Sequence, residues 1–276
     1  MIAYVVGVYA LLRIVAKITD EDSRINEGNP FLKPSVPLES GGVYERLIKP
    51  ALDIVLSFSG LLILMPLLVL IGIVIYADDP GSVFFAQKRV GKNKRYFLCH
   101  KYRTMKTSAP HNVPTHLLEN PEQYITRVGK FLRKYSLDEL PQLWDAYRRK
   151  LSLIGPRPAL WNQEDLIEER DKYGANSIMP GITGLAQING RDELPIDVKA
   201  QYDGEYAEAI RAGGIRAFLI DIRCFFGTFL AVFRHEGVVE GRTEKPDAAR
   251  EERAGQYEQD TCPNRRDGEK VGRGSD

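Results

Sequence analysis

The sequence predicts an α+β, helix-rich domain of the membrane-associated, monotopic kind: a Pro-kinked re-entrant membrane helix, surface helices and a small β-hairpin. Residues 54–77, IVLSFSGLLILMPLLVLIGIVIYA, carry no formal charge. At about 1.5 Å per residue they are long enough for a hydrocarbon core of roughly 30 Å. Val83–Gln87 and Arg95–Tyr102 are aromatic and β-branched stretches on either side of Gly91, which reads as a hairpin. Beyond them, apolar residues return at helical spacing.

A length of 276 residues allows one good core, with room for an appendage. The net charge of +1 averages over strong local asymmetry. Cys99, Cys224 and Cys262 are odd in number, widely spaced and without a CxxC pair. They point to a reduced, cytosolic setting and to neither a disulfide frame nor a zinc site. His100, His111, His116 and His235 form no ligand pattern, so hard cations with oxygen ligands are the metals left open. No nucleic-acid partner is expected.

Residues 1–18 are apolar with Arg13 and Lys17 at one end. They lack the basic start and cleavage site of a signal peptide, and their uncharged run from Ile2 to Leu12 is too short to span. They read either as an interfacial helix or as the remnant of a longer leader. Residues 19–45 are polar and Pro/Gly-containing, a linker. In the apolar run that follows, Pro66 has no N–H and crowds the carbonyl of Leu62, so a kink is expected. Arg46 and Lys49 flank one end; Lys88, Arg89, Lys92, Lys94 and Arg95 follow the other. Cations at both ends fit a helix that enters, bends and returns to the same face. A straight span with the N-terminus outside is the alternative.

Asp78-Asp79-Pro80-Gly81 is a sharp turn. The basic hairpin after it suits anionic headgroups, at about 1 kcal/mol per cation; Lys101 and Arg103 share a strand face that can instead meet a phosphate. Residues 107–122, with Pro110, Pro114 and Pro121, read as a loop. Helical spacing resumes from Pro121 to Lys134. A second helix over Leu137–Tyr147 would bury Leu140, Leu143, Trp144 and Tyr147. It begins with Asp138 and Glu139, an acidic pair among Arg133, Lys134, Arg148, Arg149, Lys150 and Arg157. Two readings compete there. The acids and cations form a site for anionic phosphate, or Ser136-x-x-Glu139 is a capping box. Ser152–Pro158 is a rigid turn whose fixed Arg157 has no structural need. Ile178–Arg191 is a glycine-rich loop presenting Thr183, Gln187, Asn189 and Arg191. Residues 197–212 form an amphipathic helix, and Ile215–Phe233 an apolar-aromatic helix suited to an interface. From Arg242 on, the charged, apolar-poor tail predicts disorder.

Three stretches resemble the bacterial sugar transferases, the monotopic phosphoglycosyl transferases that begin glycan assembly: Asp78–Lys92, Leu137–Leu143 with Gly155-Pro-Arg157-Pro, and Pro180–Arg191. The resemblance runs from about Tyr44 to Gly241. It divides the chain into an N-terminal segment and linker (1–43), a catalytic domain (44–241, membrane helix about 50–77) and a tail (242–276).

The resemblance implies transfer of a sugar 1-phosphate from a UDP-sugar to polyprenyl (undecaprenyl) phosphate. UMP is released, Mg²⁺ is required, and the site is at the cytoplasmic face of the bacterial inner membrane. It implies Asp138 as nucleophile and Mg²⁺ ligand, with Glu139 assisting. Arg133 and Arg157 become phosphate clamps. The strand face adds Lys101 and Arg103 as candidate phosphate contacts, and the glycine-rich loop adds Gln187, Asn189 and Arg191 as candidate contacts to the nucleotide-sugar. The membrane-helix break falls at Pro66. The lipid bilayer is the expected surface; homo-oligomerisation is left open. Two departures stand out: Met65 where the family usually has serine, and Arg149-Lys150-Leu151 where it usually has glycine and an acid. They leave an inactive scaffold of the same fold as an alternative. A Mg²⁺-dependent lipid diphosphate phosphatase, using the same acids with water as acceptor, is another.

Overall fold

The charge-free run folds into α1, Lys49–Asp78, led in by a wider turn at Tyr44–Ile48. The computed structural model describes residues 24–26, 28–32, 42–109, 121–190 and 194–234. The chain forms two units, 1–109 with 124–239 and 110–123 with 240–276; of the second only 121–123 are described. The 1–18 segment, most of the linker, residues 110–120 and the tail lie outside the described residues.

α1 is long and apolar enough to cross a membrane. It is continuous through Pro66, so the break expected there is not seen. Packing on both sides of the proline holds the helix together. Met65, Leu68, Ile71 and Ile75 are buried, and the Tyr102 hydroxyl donates to the Leu68 carbonyl at 2.7 Å. The opposite face leaves Val55, Leu56, Ile63, Leu70, Ile73 and Tyr76 exposed.

Polar contacts hold α1 at both ends. Asp53 accepts from Ser152 Oγ at 2.7 Å and from the Leu153 amide at 3.0 Å. Lys49, which the sequence offers as a flanking cation, is instead buried against Asp221 at 2.8 Å. At the far end Asp79 accepts from the Thr107 amide at 2.8 Å and pairs with Arg103 at 3.1 Å.

The hairpin is as expected. β1 (Phe84–Val90) and β2 (Tyr96–Tyr102) are antiparallel, with Phe84 opposite Tyr102 and Val90 opposite Tyr96. The helix expected from Pro121 to Lys134 is divided. A short turn occupies Pro121–Tyr124 and α2 starts afresh at Arg127–Lys134. Ile125 bridges to Met105, and Thr126 caps α2 by accepting from the Gly129 amide at 2.9 Å. Gly129 permits this approach, because a Cβ there would stand 2.1 Å from the Thr104 carbonyl oxygen.

The segment Leu137–Tyr147 also divides, into a turn at Leu137–Glu139 and, after Pro141, α3 at Gln142–Tyr147. Its buried side is Gln142, Asp145 and Ala146, not the apolar stripe. Asp145 draws the polar face inward: its carboxylate accepts from the His100 amide at 2.8 Å and lies 2.6 Å from His100 Nδ1. Leu143 then meets Gly60 and the Tyr147 ring meets Phe58, so the apolar stripe faces α1.

The glycine-rich stretches contain a sheet the sequence reading missed. β3 (Ser152–Ile154) pairs in parallel with β4 (Gly181–Thr183). α4 (Glu164–Lys172), α5 (Leu185–Ile188), α6 (Ile196–Ala212) and α7 (Gly214–Arg234) complete the unit. Tyr206, Ile210, Leu185, Ala217 and Cys224 form one core, and Leu68, Ile71 and Ile75 form another with Tyr102 and Leu132. α7 exposes Phe218, Leu219, Phe226 and Phe229. Its acid, Asp221, turns inward to accept from the Tyr44 and Tyr206 hydroxyls at 2.8 and 2.6 Å. Arg149, where the resemblance leads one to expect glycine, has φ 60, a region glycine enters without the Cβ penalty.

Gly129→Ala is expected to lower unfolding stability by about 1–3 kcal/mol, because neither Thr104 nor the cap can give way. Denaturant unfolding in detergent measures it; an unchanged midpoint would show that α2 can shift.

Candidate active site

Two residues after α2, Ser136 takes the left-handed conformation, φ 54. The chain turns sharply there, and Leu137–Glu139 follows as a single tight turn. The capping box does not form: no side-chain cap comes from Ser136. Glu139 faces cations instead. Its Oε1 accepts from Lys101 Nζ at 2.8 Å and from Arg157 Nη2 at 2.5 Å, and its Oε2 from Arg157 Nη1 at 3.2 Å. This is a two-pronged guanidinium–carboxylate contact with a third cation added.

Asp138 stands beside it, and both acids are 8% exposed. Burial first, then the Glu139 charge, push the Asp138 carboxyl above the usual carboxylate range; Lys101, Arg133 and Arg157 pull it back. Three cations brought near a buried acid pair are what a dianionic diphosphate needs to approach a carboxylate.

Each cation comes from a different element. Lys101 lies on β2, one residue before its end. Arg133 is on the last turn of α2, with Nε donating to Thr104 Oγ1 at 2.8 Å. Arg157 follows β3 on a loop with little freedom. The Gly155 amide donates to the Thr183 carbonyl at 2.7 Å and the Gly181 amide to the Pro156 carbonyl at 2.9 Å. Arg89 Nη1 donates to the Pro158 carbonyl at 2.7 Å. A Cβ on Gly184 would stand 2.1 Å from the Gly155 carbonyl oxygen, so glycine is required where the two strands continue.

Arg103 is placed elsewhere: it serves the turn after α1, its Nη2 donating to the Asp79 carbonyl. Gln187 is buried on α5 beside Gly184, and neither end of its amide meets a partner among the described residues. Asn189 donates to the Leu185 carbonyl at 2.7 Å. Arg191 lies outside the described residues. Sequence reasoning missed Thr104, Arg89 and Asp53 as the groups that hold the cations' elements in place. The signal for Asp53 was an acid abutting an apolar run, where burial demands a partner.

Among the described residues no three of His, Cys, Asp and Glu stand together as a metal cluster. Glu139 is engaged by Lys101 and Arg157, which leaves Asp138 to offer carboxylate oxygen. One carboxylate completed by substrate phosphates fits Mg²⁺, which keeps much of its shell outside the protein.

Because the folded-state pKa of Asp138 is raised, its contribution to stability is present at low pH and lost as pH rises through that pKa. Asp138→Asn removes the buried charge, so its melting temperature at neutral pH is expected to equal or exceed that of the parent protein. A scanning-fluorimetry comparison checks this; a large drop would mean that ionised Asp138 supports the fold.

Residues 44–235 match the family model described as bacterial sugar transferase. The exopolysaccharide production protein ExoY of Rhizobium meliloti is 33% identical over 196 residues, covering 65% of this chain and 85% of that protein. The UDP-glucose:undecaprenyl-phosphate glucose-1-phosphate transferase of Escherichia coli is 38% identical over 194 residues, 67% of this chain but 41% of that longer protein. The undecaprenyl-phosphate glucose phosphotransferase of Komagataeibacter xylinus is 36% identical over 197 residues, 68% of this chain and 37% of its own. With the matched region containing the acid pair and all three cations around it, the chain belongs to the bacterial sugar transferase family.

Proposed function

We propose that this protein transfers a sugar 1-phosphate from a UDP-sugar to polyprenyl phosphate in two steps through Asp138. The observation that carries the reading is the buried Asp138–Glu139 pair under the charges of Lys101, Arg133 and Arg157. The names of the relatives, undecaprenyl-phosphate sugar phosphotransferases among them, supply the substrate classes.

In the first step an Asp138 carboxylate oxygen attacks the β-phosphorus of the UDP-sugar. The new O–P bond forms as the bond to the bridging oxygen breaks, and that oxygen leaves with UMP. Asp138 then carries the sugar phosphate as a mixed anhydride. Arg133 and Arg157 screen the repulsion between carboxylate and diphosphate and hold the transferring group in line. Asp138 and the substrate phosphates would hold Mg²⁺, which would supply further charge neutralisation. In the second step an oxygen of polyprenyl phosphate attacks the same phosphorus. Glu139 accepts any proton left on that phosphate, Asp138 is regenerated, and the lipid diphosphate sugar departs. Gln187 offers an uncommitted amide to the nucleotide-sugar beside the Gly155–Arg157 loop.

In this reading the exposed apolar faces of α1 and α7 sit in the cytoplasmic leaflet, with both ends of α1 kept on the same side of the bilayer. Support comes from the polar contacts that tie both ends of α1 to one folded unit, since a straight crossing would carry one of those ends to the opposite side.

The test is UMP release from a panel of UDP-sugars without acceptor, followed by capture of labelled sugar phosphate on the protein. Release close to one UMP per protein, label on Asp138, and loss of both in Asp138→Asn are expected; turnover in that variant overturns the covalent route. Chelation by EDTA is expected to abolish the first step and added Mg²⁺ to restore it; unchanged UMP release in EDTA would remove the metal from the reaction. The nucleophile must be ionised, so single-turnover UMP release falls as pH drops through the raised pKa of Asp138. A rate flat through that limb would separate the nucleophile from Asp138.

A further inference from the structure

Outside the acid pair, one buried ion pair is spatially continuous with the site. Arg170, on α4, donates through Nε and Nη2 to Asp203 Oδ2 on α6, at 2.8 and 2.6 Å. The same Nη2 donates to the backbone carbonyl of Arg157 at 2.9 Å. The side chains are 7% and 1% exposed. One guanidinium therefore joins two helices to the residue whose own guanidinium grips Glu139.

We infer that Arg170 and Asp203 are positioning residues for the reaction, setting the direction in which Arg157 presents its charge to the substrate phosphates. The inference rests on the reading of Arg157 as a phosphate clamp. A buried ion pair is a poor choice for stability alone, because its desolvation cost can exceed its Coulombic gain and a well-packed apolar pair is often as stable or more so. An apolar pair, however, cannot donate to a carbonyl. The Arg157 carbonyl is fixed from one side by Arg170, and the next carbonyl, of Pro158, by Arg89. With both carbonyls held, Arg157 reaches Glu139 without a search over backbone conformations. Asp203 has a second task, since its carboxylate neutralises Arg170. Without it a bare cation would lie against the Arg157 backbone and compete for the phosphate or for Glu139. Arg170→Lys keeps the charge and the partner, but its single nitrogen lacks the rigid fork that serves carboxylate and carbonyl together.

The test is a comparison of four full-length proteins in detergent: the parent, Arg170→Met/Asp203→Leu, Arg157→Lys, and the three changes combined. Transfer from UDP-sugar is followed as kcat/KM, together with the melting temperature. The Met/Leu pair keeps the melting temperature while kcat/KM falls about tenfold or more, as expected for a displaced clamp. In the Arg157→Lys background the same pair costs no more than about twofold, because the group it positions is already gone. Equal losses in both backgrounds, or no loss in the first, overturn the inference. Where the Met/Leu pair lowers the melting temperature, Arg170→Lys replaces it in the same comparison. Where turnover of Arg157→Lys is too slow to follow, UDP affinity by calorimetry in the same proteins takes its place. A parent protein that releases no UMP from any UDP-sugar sinks the reaction itself; equal losses in an active parent sink the positioning alone.

Discussion

Glu139 is the residue on which the arrangement turns. A carboxylate 8% exposed is expensive unless cations meet it, and here Lys101 from β2 and Arg157 from the β3 loop do so together. That shared contact fastens the hairpin to the second half of the chain and places both cations beside Asp138. The cost of the arrangement falls on Asp138, whose carboxyl is held above its usual range by burial and by its neighbour. Such a residue is a liability for folding, and carboxyls held this way are common where ionisable groups are tuned for reaction.

Much of the fold was legible in local patterns. The charge-free run became α1 and the aromatic stretches the β1–β2 hairpin, because hydrophobic length and strand alternation act within a few residues. What could not be read locally was decided by contacts distant in sequence. The Leu137–Tyr147 segment presents a convincing apolar stripe, yet His100, 45 residues away, claims Asp145 and rotates the helix. β3 and β4 are three residues each and lie among glycines. No periodicity announces such strands; only the close passage of Gly155 by Gly181 and Gly184 explains them.

The site divides in the same way. Asp138, Glu139, Arg133, Lys101 and Arg157 stand out in the sequence as acids among cations, and the fold gathers them. Arg103 shares a side of its strand with Lys101 in the pattern but lies beyond the strand end and answers to Asp79. Asp203 looks, in sequence, like an ordinary charge on an amphipathic helix, and Arg170 like one more cation in a charged stretch. Nothing but the third dimension distinguishes them from solvated neighbours such as Glu168 or Glu205.

The attachment of α1 has a mechanical result. Its first turns are fastened through Asp53 to Ser152, and its end through Asp79 to Thr107. Sliding by a single turn, about 5.4 Å, would break both fastenings at once. The helix and the acid pair are consequently held at one fixed offset, and under the proposed membrane seating they would rise and sink as one rigid float, its draught written into the protein. Under that seating, lipids of different thickness would have to deform around it.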